Sequence, residues 1–209
     1  MSYLNTIHPE ETDPTLVSLS MRAKRDEVPI ITDDVLRFLR QTLTLMDADK
    51  VLEVGTAIGF SAIAMAKHSP KLRVTTIERD ASLALEARKN IKEAGLEERI
   101  TVIEEDALHL DPESLDGPFD LLFIDGAKSQ SKQYFTRYAP LVRKRGAVLV
   151  DNLLFHGLVG DPAARNKHRN TRQLIRKIDE FNRWVLNQND FETAIYPLGD
   201  GMSLSIKRK

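Results

Sequence analysis

The chain alternates between short apolar strand patterns and helical patterns, and this alternation restricts its possible folds more than any other feature. Helical patterns follow the first, second and fourth strands, at 60–67, 81–94 and 129–141. Repeated strand–helix units predict an α/β fold, a parallel sheet with right-handed crossovers and helices on both faces. The predicted strands are 50–54, 72–77, 100–104, 119–124, 147–150, 191–196 and 202–207.

Different patterns occupy the two ends of the chain. Helices are predicted at 13–26 and from the N-cap Thr32 to about residue 46. Near the other end, a polar stretch at 157–170 leads into a long helix, and Gly199-Asp200-Gly201 then joins the last two strands as a hairpin. We therefore predict a seven-stranded, mostly parallel sheet with an antiparallel C-terminal hairpin. The apolar face of the long helix is predicted to hold Leu174, Ile178, Phe181 and Val185.

Length and composition narrow the class of protein. A chain of 209 residues fits one domain, with N-terminal helices in 1–46 and the sheet core in 47–209. The absence of cysteine excludes disulfides, a thiolate metal site and a cysteine nucleophile. No apolar run is long enough to cross a membrane, and the first twenty residues lack the apolar centre of a signal peptide. We expect a cytoplasmic protein without membrane contact.

Positive charge is concentrated in one segment of the chain. Residues 128–177 contain twelve Lys and Arg residues against two acids, whereas the whole chain has a net charge of −1. Solvated helix faces explain most such runs of charge. Here the run directly follows candidate site residues, which favours an anionic substrate.

A glycine turn follows the first predicted strand, in the segment from Glu53 to Gly59. Gly55 and Gly59 allow the backbone to approach a ligand closely, and Ser61 lies in the first turn of the next helix. The dinucleotide fingerprint Gly-x-Gly-x-x-Gly is absent, and the carboxylate of Glu53 would repel a pyrophosphate. The turn alone could be only a tight connection. An acid here suits a cationic ligand such as the methionine part of S-adenosylmethionine.

Acidic residues also end the second and third strands. Glu78 is placed to accept hydrogen bonds from ribose hydroxyls, and Asp106 with Ala107 suits an adenine edge. Either acid alone could be a helix N-cap. Because they lie at neighbouring strand ends beside the glycine turn, we interpret them as ligand-binding residues.

Hard oxygen ligands follow the fourth and fifth strands. Asp125, Asp151 and Asn152 have the carboxylate and amide oxygens that suit Mg²⁺ or a similar divalent cation. Lys128 is close enough in sequence to Asp125 to accept a proton from an acceptor hydroxyl. The alternatives are an Asx-turn at Asp151-Asn152 and a surface lysine at a helix start.

Three separated motifs resemble those of the metal-dependent O-methyltransferases of the catechol and caffeoyl-CoA type. The resemblance implies a Rossmann-like class I methyltransferase fold and a homodimer. It also implies contacts to S-adenosylmethionine from Ile31, Ser61, Glu78, Asp106, Ala107 and Asp125, and Mg²⁺ held by Asp125, Asp151 and Asn152. The motifs are residues 53–61, residues 123–128 and Asp151-Asn152.

Within that family, the chain is most similar to the bacterial tRNA 5-hydroxyuridine methyltransferases, which make 5-methoxyuridine at the wobble position. Residues 151–159, 178–182 and 196–201 carry this similarity. Gly126 and His156 depart from the family pattern, which usually has alanine and often has lysine at these positions. The alternative acceptor is a small catechol-like molecule. For a tRNA anticodon loop, the residues expected to grip phosphates are Arg165, Lys167, His168, Arg169 and Arg172.

Overall fold

The computed structural model describes Tyr3 and residues 7–209 of the chain. The helices predicted near the N-terminus are both present, and Asp13 begins the first of them by accepting hydrogen bonds from the backbone N–H groups of Thr15 and Leu16. Thr32 occupies the N-cap position of the second helix without a side-chain capping bond. The α-helices are α1 Pro14–Arg25, α2 Asp33–Leu45, α3 Phe60–His68, α4 Ala81–Glu93, α5 Ser131–Tyr138 and α6 Arg169–Val185.

The strands form one seven-stranded sheet in the described part of the chain, in the order β3-β2-β1-β4-β5-β7-β6. β1 to β5 pair in parallel, whereas β7 pairs antiparallel with both β5 and β6. The predicted mostly parallel sheet with a C-terminal hairpin is therefore confirmed. The strands are β1 Lys50–Val54, β2 Arg73–Glu78, β3 Ile100–Glu104, β4 Phe119–Ile124, β5 Val142–Val150, β6 Phe191–Tyr196 and β7 Met202–Lys207.

The fifth strand and the helix before it differ from the prediction. β5 begins at Val142 rather than at residue 147, because its first residues pair with Phe119 across a bulge and Arg143 forms an ion pair with Asp120. The predicted helix 129–141 is divided into the 3-10 turn Lys128–Gln130, α5 and the 3-10 turn Ala139–Leu141. Proline at position 140 has no backbone N–H to donate to the preceding turn, so the α-helical hydrogen-bond pattern is interrupted there, which explains the second break.

Helices cover both faces of the sheet, as the strand–helix alternation predicts. Apolar residues of α1, α2 and α3 form one core cluster with Val51, Phe123 and Leu149. The other face carries α5 and α6, which pack against Leu52 and Leu122. On α6, Ile175 is buried and Leu174 is only half-buried, so the apolar face is turned slightly from the predicted one.

The order of the strands reverses between β1 and β4, which lie side by side although β2 and β3 separate them in the chain. In open parallel sheets, ligands bind beyond the carboxyl ends of the strands at such a switch point. Residues 55–61 and 125–128 leave the sheet at this position. No helix in the described residues is both long and apolar enough to span a membrane.

Candidate active site

A cavity of about 540 Å³ opens at the carboxyl ends of the parallel strands. Its wall is formed by the ends of β1 to β5, by the segment that precedes α2 and by the turn between β6 and β7. Most of the residues that the sequence selects for ligand or metal binding therefore meet in one place. They are Ile31, Gly55, Ser61, Glu78, Asp106, Ala107, Asp125, Lys128, Asp151 and Asn152.

Gly55 lets the turn after β1 pass directly over the end of β4. Its backbone has a φ of 101°, and a Cβ there would lie 2.5 Å from the carbonyl oxygen of Asp125. That conformation and that distance both exclude an ordinary side chain. The absence of a side chain at Gly55 thus allows β1 and β4 to present their following loops to the same cavity.

Glu53 lies behind the cavity wall and does not line it. Its side chain is fully buried, and it accepts hydrogen bonds from the hydroxyls of Ser61 at 2.5 Å and Thr76 at 2.6 Å. Burial raises the pKa of Glu53 to about 7, and the nearby charge of Glu78 adds to this effect. The hydroxyl of Ser61, which the sequence assigns to a ligand carboxylate, points to Glu53 in this arrangement.

Glu78 and Asp106 both reach the cavity, and both also bond to nearby backbone. The carboxylate of Glu78 accepts hydrogen bonds from the N–H groups of Ala57 at 3.0 Å and Asp80 at 2.9 Å. Asp106 accepts one from the N–H of Leu108 at 2.8 Å. Neither acid is a helix N-cap, because Asp80 caps α4 and a turn rather than a helix follows Asp106. Each carboxylate oxygen can accept a second hydrogen bond, so ligand binding by the same groups is compatible with these bonds.

Asp125, Asp151 and Asn152 lie together at the ends of β4 and β5. The amide nitrogen of Asn152 donates to Asp125 Oδ1 at 2.8 Å, and its backbone N–H donates to Asp151 Oδ1 at 2.6 Å. Burial raises the pKa of Asp125 well above its ordinary value, and the charge of Asp151 raises it further. Burial likewise raises the pKa of Asp151 to about 6. The site therefore holds two buried acids close together.

This donor set fits a hard divalent cation. A cation between the two carboxylates would offset their repulsion, and the side-chain oxygen of Asn152 could complete the set after rotation of its amide. Among the residues that the structure describes, no three His, Cys, Asp or Glu side chains form a metal-binding group. With two carboxylates and one amide as its protein ligands, a cation here would keep positions open for water or for oxygen atoms of a substrate.

Lys128 borders the cavity between an acid and an aromatic ring. Its Nζ lies 3.5 Å from Asp200 Oδ2 and 5.3 Å from the centre of the Phe155 ring. The side chain is 28% exposed, so the amine is partly removed from solvent and still reachable from the cavity. Lys128 begins a 3-10 turn, as the alternative of a lysine at a helix start expects, and these two contacts also hold its side chain at the cavity edge.

Asp200 and Tyr134 are among the wall residues that were not selected from the sequence. Asp200 was treated only as part of a hairpin turn, and Tyr134 only as part of a helix. The pairing of β7 with β5 indicates that Asp200 lies at the site. Val150 lies opposite Ser203, so the turn before β7 must lie beside Asp151. For Tyr134 we find no comparable signal in the sequence.

The basic segment leads into α6, the helix that packs near the cavity edge. α6 packs against the 3-10 turn that contains Lys128, and Asn182 in α6 donates a 2.9 Å hydrogen bond to the carbonyl of Leu153. Lys167 and Arg169 are exposed just before and at the start of α6. Arg165 lies in the 3-10 turn Pro162–Asn166, and Arg172 lies in the first turns of α6.

Comparison with known proteins gives one consistent family. Residues 11–208 match the family model described as O-methyltransferase. A catechol O-methyltransferase of Mycobacterium tuberculosis is 33% identical over 206 residues, which cover 94% of this chain and 90% of that protein. A Staphylococcus aureus structure described as a caffeoyl-CoA O-methyltransferase is 35% identical with a TM-score of 0.92, over 98% of this chain and 97% of that one.

A further similar structure was solved with its cofactor. The O-methyltransferase TomG of Streptomyces achromogenes, which takes part in tomaymycin synthesis, was solved in complex with S-adenosylmethionine. It is 26% identical, with a TM-score of 0.82, over 99% of this chain and 95% of that one. The similarity thus extends over almost the whole of both chains.

Proposed function

This chain belongs to the O-methyltransferase family, and from that premise we propose that it methylates 5-hydroxyuridine at the wobble position of tRNA. The methyl donor of this enzyme is S-adenosylmethionine. The proposal concerns the acceptor and the divalent cation. The observation that carries it is that two exposed basic residues, Lys167 and Arg169, lie on the segment that leads into α6, the helix that packs against the 3-10 turn of Lys128.

The cofactor is assigned to the side of the cavity formed by β1, β2 and β3. Glu78 is placed to bind the ribose hydroxyls, and Asp106 with the N–H of Ala107 to bind the adenine edge. Ile31, which is buried in the segment before α2, contributes apolar contact. We assign Ser61 and the backbone of the glycine turn to the methionine portion. This arrangement directs the methyl group towards Asp125 and Lys128.

Methyl transfer is an in-line displacement. The acceptor oxygen forms a bond to the methyl carbon, the carbon–sulfur bond breaks, and its electron pair remains on sulfur in S-adenosylhomocysteine. When bound by Asp125, Asp151 and Asn152, a divalent cation orients the acceptor hydroxyl and lowers its pKa. We assign to Lys128 Nζ the role of accepting the hydroxyl proton.

An RNA acceptor accounts for the basic segment. In 5-hydroxyuridine, a hydroxyl stands beside a ring carbonyl, so two adjacent oxygens face the site as in a catechol. A nucleotide must be turned out of its stack to reach the cavity, and cations that hold the flanking phosphates favour that state. Arg165, Lys167, Arg169 and Arg172 are the residues that we assign to this role.

A small catechol-like molecule is the second candidate acceptor. It is favoured by the M. tuberculosis relative, which is described as a catechol O-methyltransferase and matches 94% of this chain. Such an acceptor fits the same pair of adjacent oxygens. It gives no role to the exposed cations before α6.

Mass analysis of tRNA nucleosides from a strain that lacks the gene tests the proposal. We expect 5-methoxyuridine to disappear and 5-hydroxyuridine to accumulate, and expression of the intact gene to reverse both changes. Expression of an Asp151→Asn variant is the matched control, because it changes one atom in the candidate metal site. An unchanged nucleoside profile would falsify the proposal.

The purified protein distinguishes the two acceptors. Transfer from labelled S-adenosylmethionine is measured to tRNA of the deletion strain and to 3,4-dihydroxybenzoate. The triple variant Arg165→Ala/Lys167→Ala/Arg169→Ala should lose at least about 10-fold in kcat/KM for tRNA while it keeps cofactor affinity. Turnover of dihydroxybenzoate alone, with equal rates in both proteins, would favour the second candidate.

A further inference from the structure

We propose that Asp200 is a positioning residue, whose carboxylate holds Lys128 towards the reacting hydroxyl and stabilises the ammonium that forms when the proton arrives. The role of Lys128 as the base rests on the proposed function. The contact between the two side chains does not, and it is tested separately below.

The turn between β6 and β7 is fixed from two sides. Asp34 at the start of α2 accepts a 2.8 Å hydrogen bond from the N–H of Gly199. On the opposite side, the carbonyl groups of Asp200 and Gly201 accept bonds from the N–H groups of Leu154 at 2.7 Å and Leu153 at 2.8 Å. The position of Asp200 is therefore set by backbone contacts that do not depend on its own side chain.

Close packing leaves this turn little freedom. A Cβ at Gly199 would lie 2.7 Å from Val35 Cγ2, and one at Gly201 would lie 2.4 Å from Leu154 Cγ. Both glycines have positive φ values. The turn thus fits between the start of α2 and the loop that follows β5. A carboxylate on this turn therefore has a defined position.

The two oxygens of Asp200 have different surroundings. Oδ1 accepts a 2.5 Å hydrogen bond from the N–H of His156, which has a φ of 57°. Oδ2 is buried and accepts no hydrogen bond from the residues that the structure describes, and Lys128 Nζ lies 3.5 Å away. A buried carboxylate oxygen without a donor is costly, so Oδ2 favours a hydrogen-bond donor at the position of Lys128 Nζ.

The hydrogen bond to His156 also orders the other neighbour of Lys128. Phe155 has a φ of 46°, a conformation that costs free energy in residues other than glycine. By accepting a hydrogen bond from the N–H of His156, Asp200 stabilises this part of the loop, and the Phe155 ring then faces Lys128 Nζ. The lysine is thereby confined between the carboxylate and the ring.

This geometry has a consequence for proton transfer. As Lys128 accepts the proton, positive charge develops on Nζ beside a carboxylate that is already in position. The attraction between Lys128 Nζ and the Asp200 carboxylate is therefore stronger in the transition state than before proton transfer. This difference accelerates the proton transfer. Cofactor binding involves other parts of the wall and gains nothing from it.

The Asp200→Asn variant separates this role from a structural one. The remaining side-chain oxygen can still accept the hydrogen bond from His156, so the loop is retained, whereas the charge that faces Lys128 is lost. Asp116→Asn is the matched control, because Asp116 pairs with Lys50 at 2.7 Å on the surface, outside the cavity wall.

The first measurement needs no acceptor. Lysines are acetylated with limiting acetic anhydride, and the rates at Lys128 and Lys50 are read by peptide mass spectrometry. We expect Asp200→Asn to change the acetylation rate of Lys128 at least about twofold and to leave that of Lys50 unchanged. Asp116→Asn should change the acetylation rate of Lys50 and leave that of Lys128 unchanged. An unchanged rate at Lys128 in Asp200→Asn overturns the proposal, even if the wild-type enzyme methylates neither acceptor.

The second measurement is a double-mutant cycle with Lys128→Gln, on the acceptor that the wild-type protein methylates. We expect Asp200→Asn to lower kcat by about 10- to 100-fold with little change in KM or in affinity for S-adenosylhomocysteine. In the Lys128→Gln background, Asp200→Asn should lower kcat by less than about twofold. Equal losses in both backgrounds would show that Asp200 acts independently of Lys128.

Discussion

At the scale of single residues, Gly55 makes the most direct prediction. A Gly55→Ala change combines a positive φ with a contact of 2.5 Å to the Asp125 carbonyl, so we expect a loss of at least about 3 kcal/mol of stability and weakened cofactor binding. Gly95→Ala is the control, because it has a φ of 67° and nothing within 4 Å of the added Cβ. It should cost only about 1 kcal/mol. Urea unfolding of both variants measures the difference, and equal losses would mean that the contact with Asp125 is unimportant.

Glu53 gives a prediction about pH. Its pKa is about 7 in the fold and ordinarily 4.5, so between these values the folded protein keeps a proton that the unfolded chain has lost. This contribution to stability is complete below about pH 4.5 and disappears as the pH rises through 7, and it amounts to about 3 kcal/mol. Glu53→Gln should remove this part of the pH dependence.

Urea unfolding at pH 5 and pH 8 checks the prediction for Glu53. Wild-type protein should lose more stability than Glu53→Gln on going to pH 8. Glu104→Gln, a change of the same kind at an exposed residue of β3, should behave like the wild type. If the Glu53 variant keeps the full pH dependence, the carboxylate is not the group that holds the proton.

The residue scale also shows what a sequence can and cannot predict about a site. Asp125, Asp151, Glu78 and Asp106 follow strands that end at one edge of the sheet, and that rule alone places them in the cavity wall. Glu53 precedes the end of its strand by one residue, and successive residues of a strand face opposite sides. Its burial depends on the neighbouring hydroxyls of Ser61 and Thr76, which no local pattern indicates.

At the scale of elements, the link between α6 and the end of β5 is testable at Asn182. Its amide donates to the carbonyl of Leu153, one residue after the candidate metal ligands. Asn182→Ala leaves that carbonyl without a donor, so we expect a loss of about 1–3 kcal/mol and weaker binding of Mg²⁺. Asn187→Ala is the control, since the side-chain amide of Asn187 donates to the nearby carbonyl of Arg183 at the end of α6.

Thermal unfolding and Mg²⁺ titration by calorimetry measure both effects of the Asn182 change. The control should shift the melting temperature by less than about 2 °C and leave the titration unchanged. Loss of stability in Asn182→Ala without any change in the titration would contradict a connection between α6 and the site.

The elements also show where local patterns mislead. The long helix and the hairpin were predicted because their periodicity or turn chemistry is strong over many residues. The start of β5 was missed, because Arg143, Lys144 and Arg145 look like a solvated loop. They are accommodated in a strand by the bulge opposite β4 and by the ion pair of Arg143 with Asp120, which are both tertiary interactions.

At the scale of the whole molecule, the distribution of charge matters more than its sum. The net charge of −1 gives no general attraction to RNA, so binding of tRNA has to depend on the basic segment. Phosphate contacts release counterions, and each contact with single-stranded RNA contributes about 0.7 to the slope of log affinity against log salt. The slope therefore counts the contacts that the segment makes.

Removal of charges from the basic segment should reduce that slope by a defined amount. We expect Lys167→Ala/Arg169→Ala to lower the slope by about 1.4, which corresponds to two phosphate contacts. The variant should also bind every tRNA tested more weakly. Lys89→Ala/Lys92→Ala removes the same charge from the second half of α4, which leads away from the cavity edge towards the start of β3. Fluorescence anisotropy with labelled tRNA between 50 and about 300 mM salt gives both slopes. Equal reductions in the two variants would mean that RNA attraction is spread over the surface, and the basic segment would then lose its special role in choosing the acceptor.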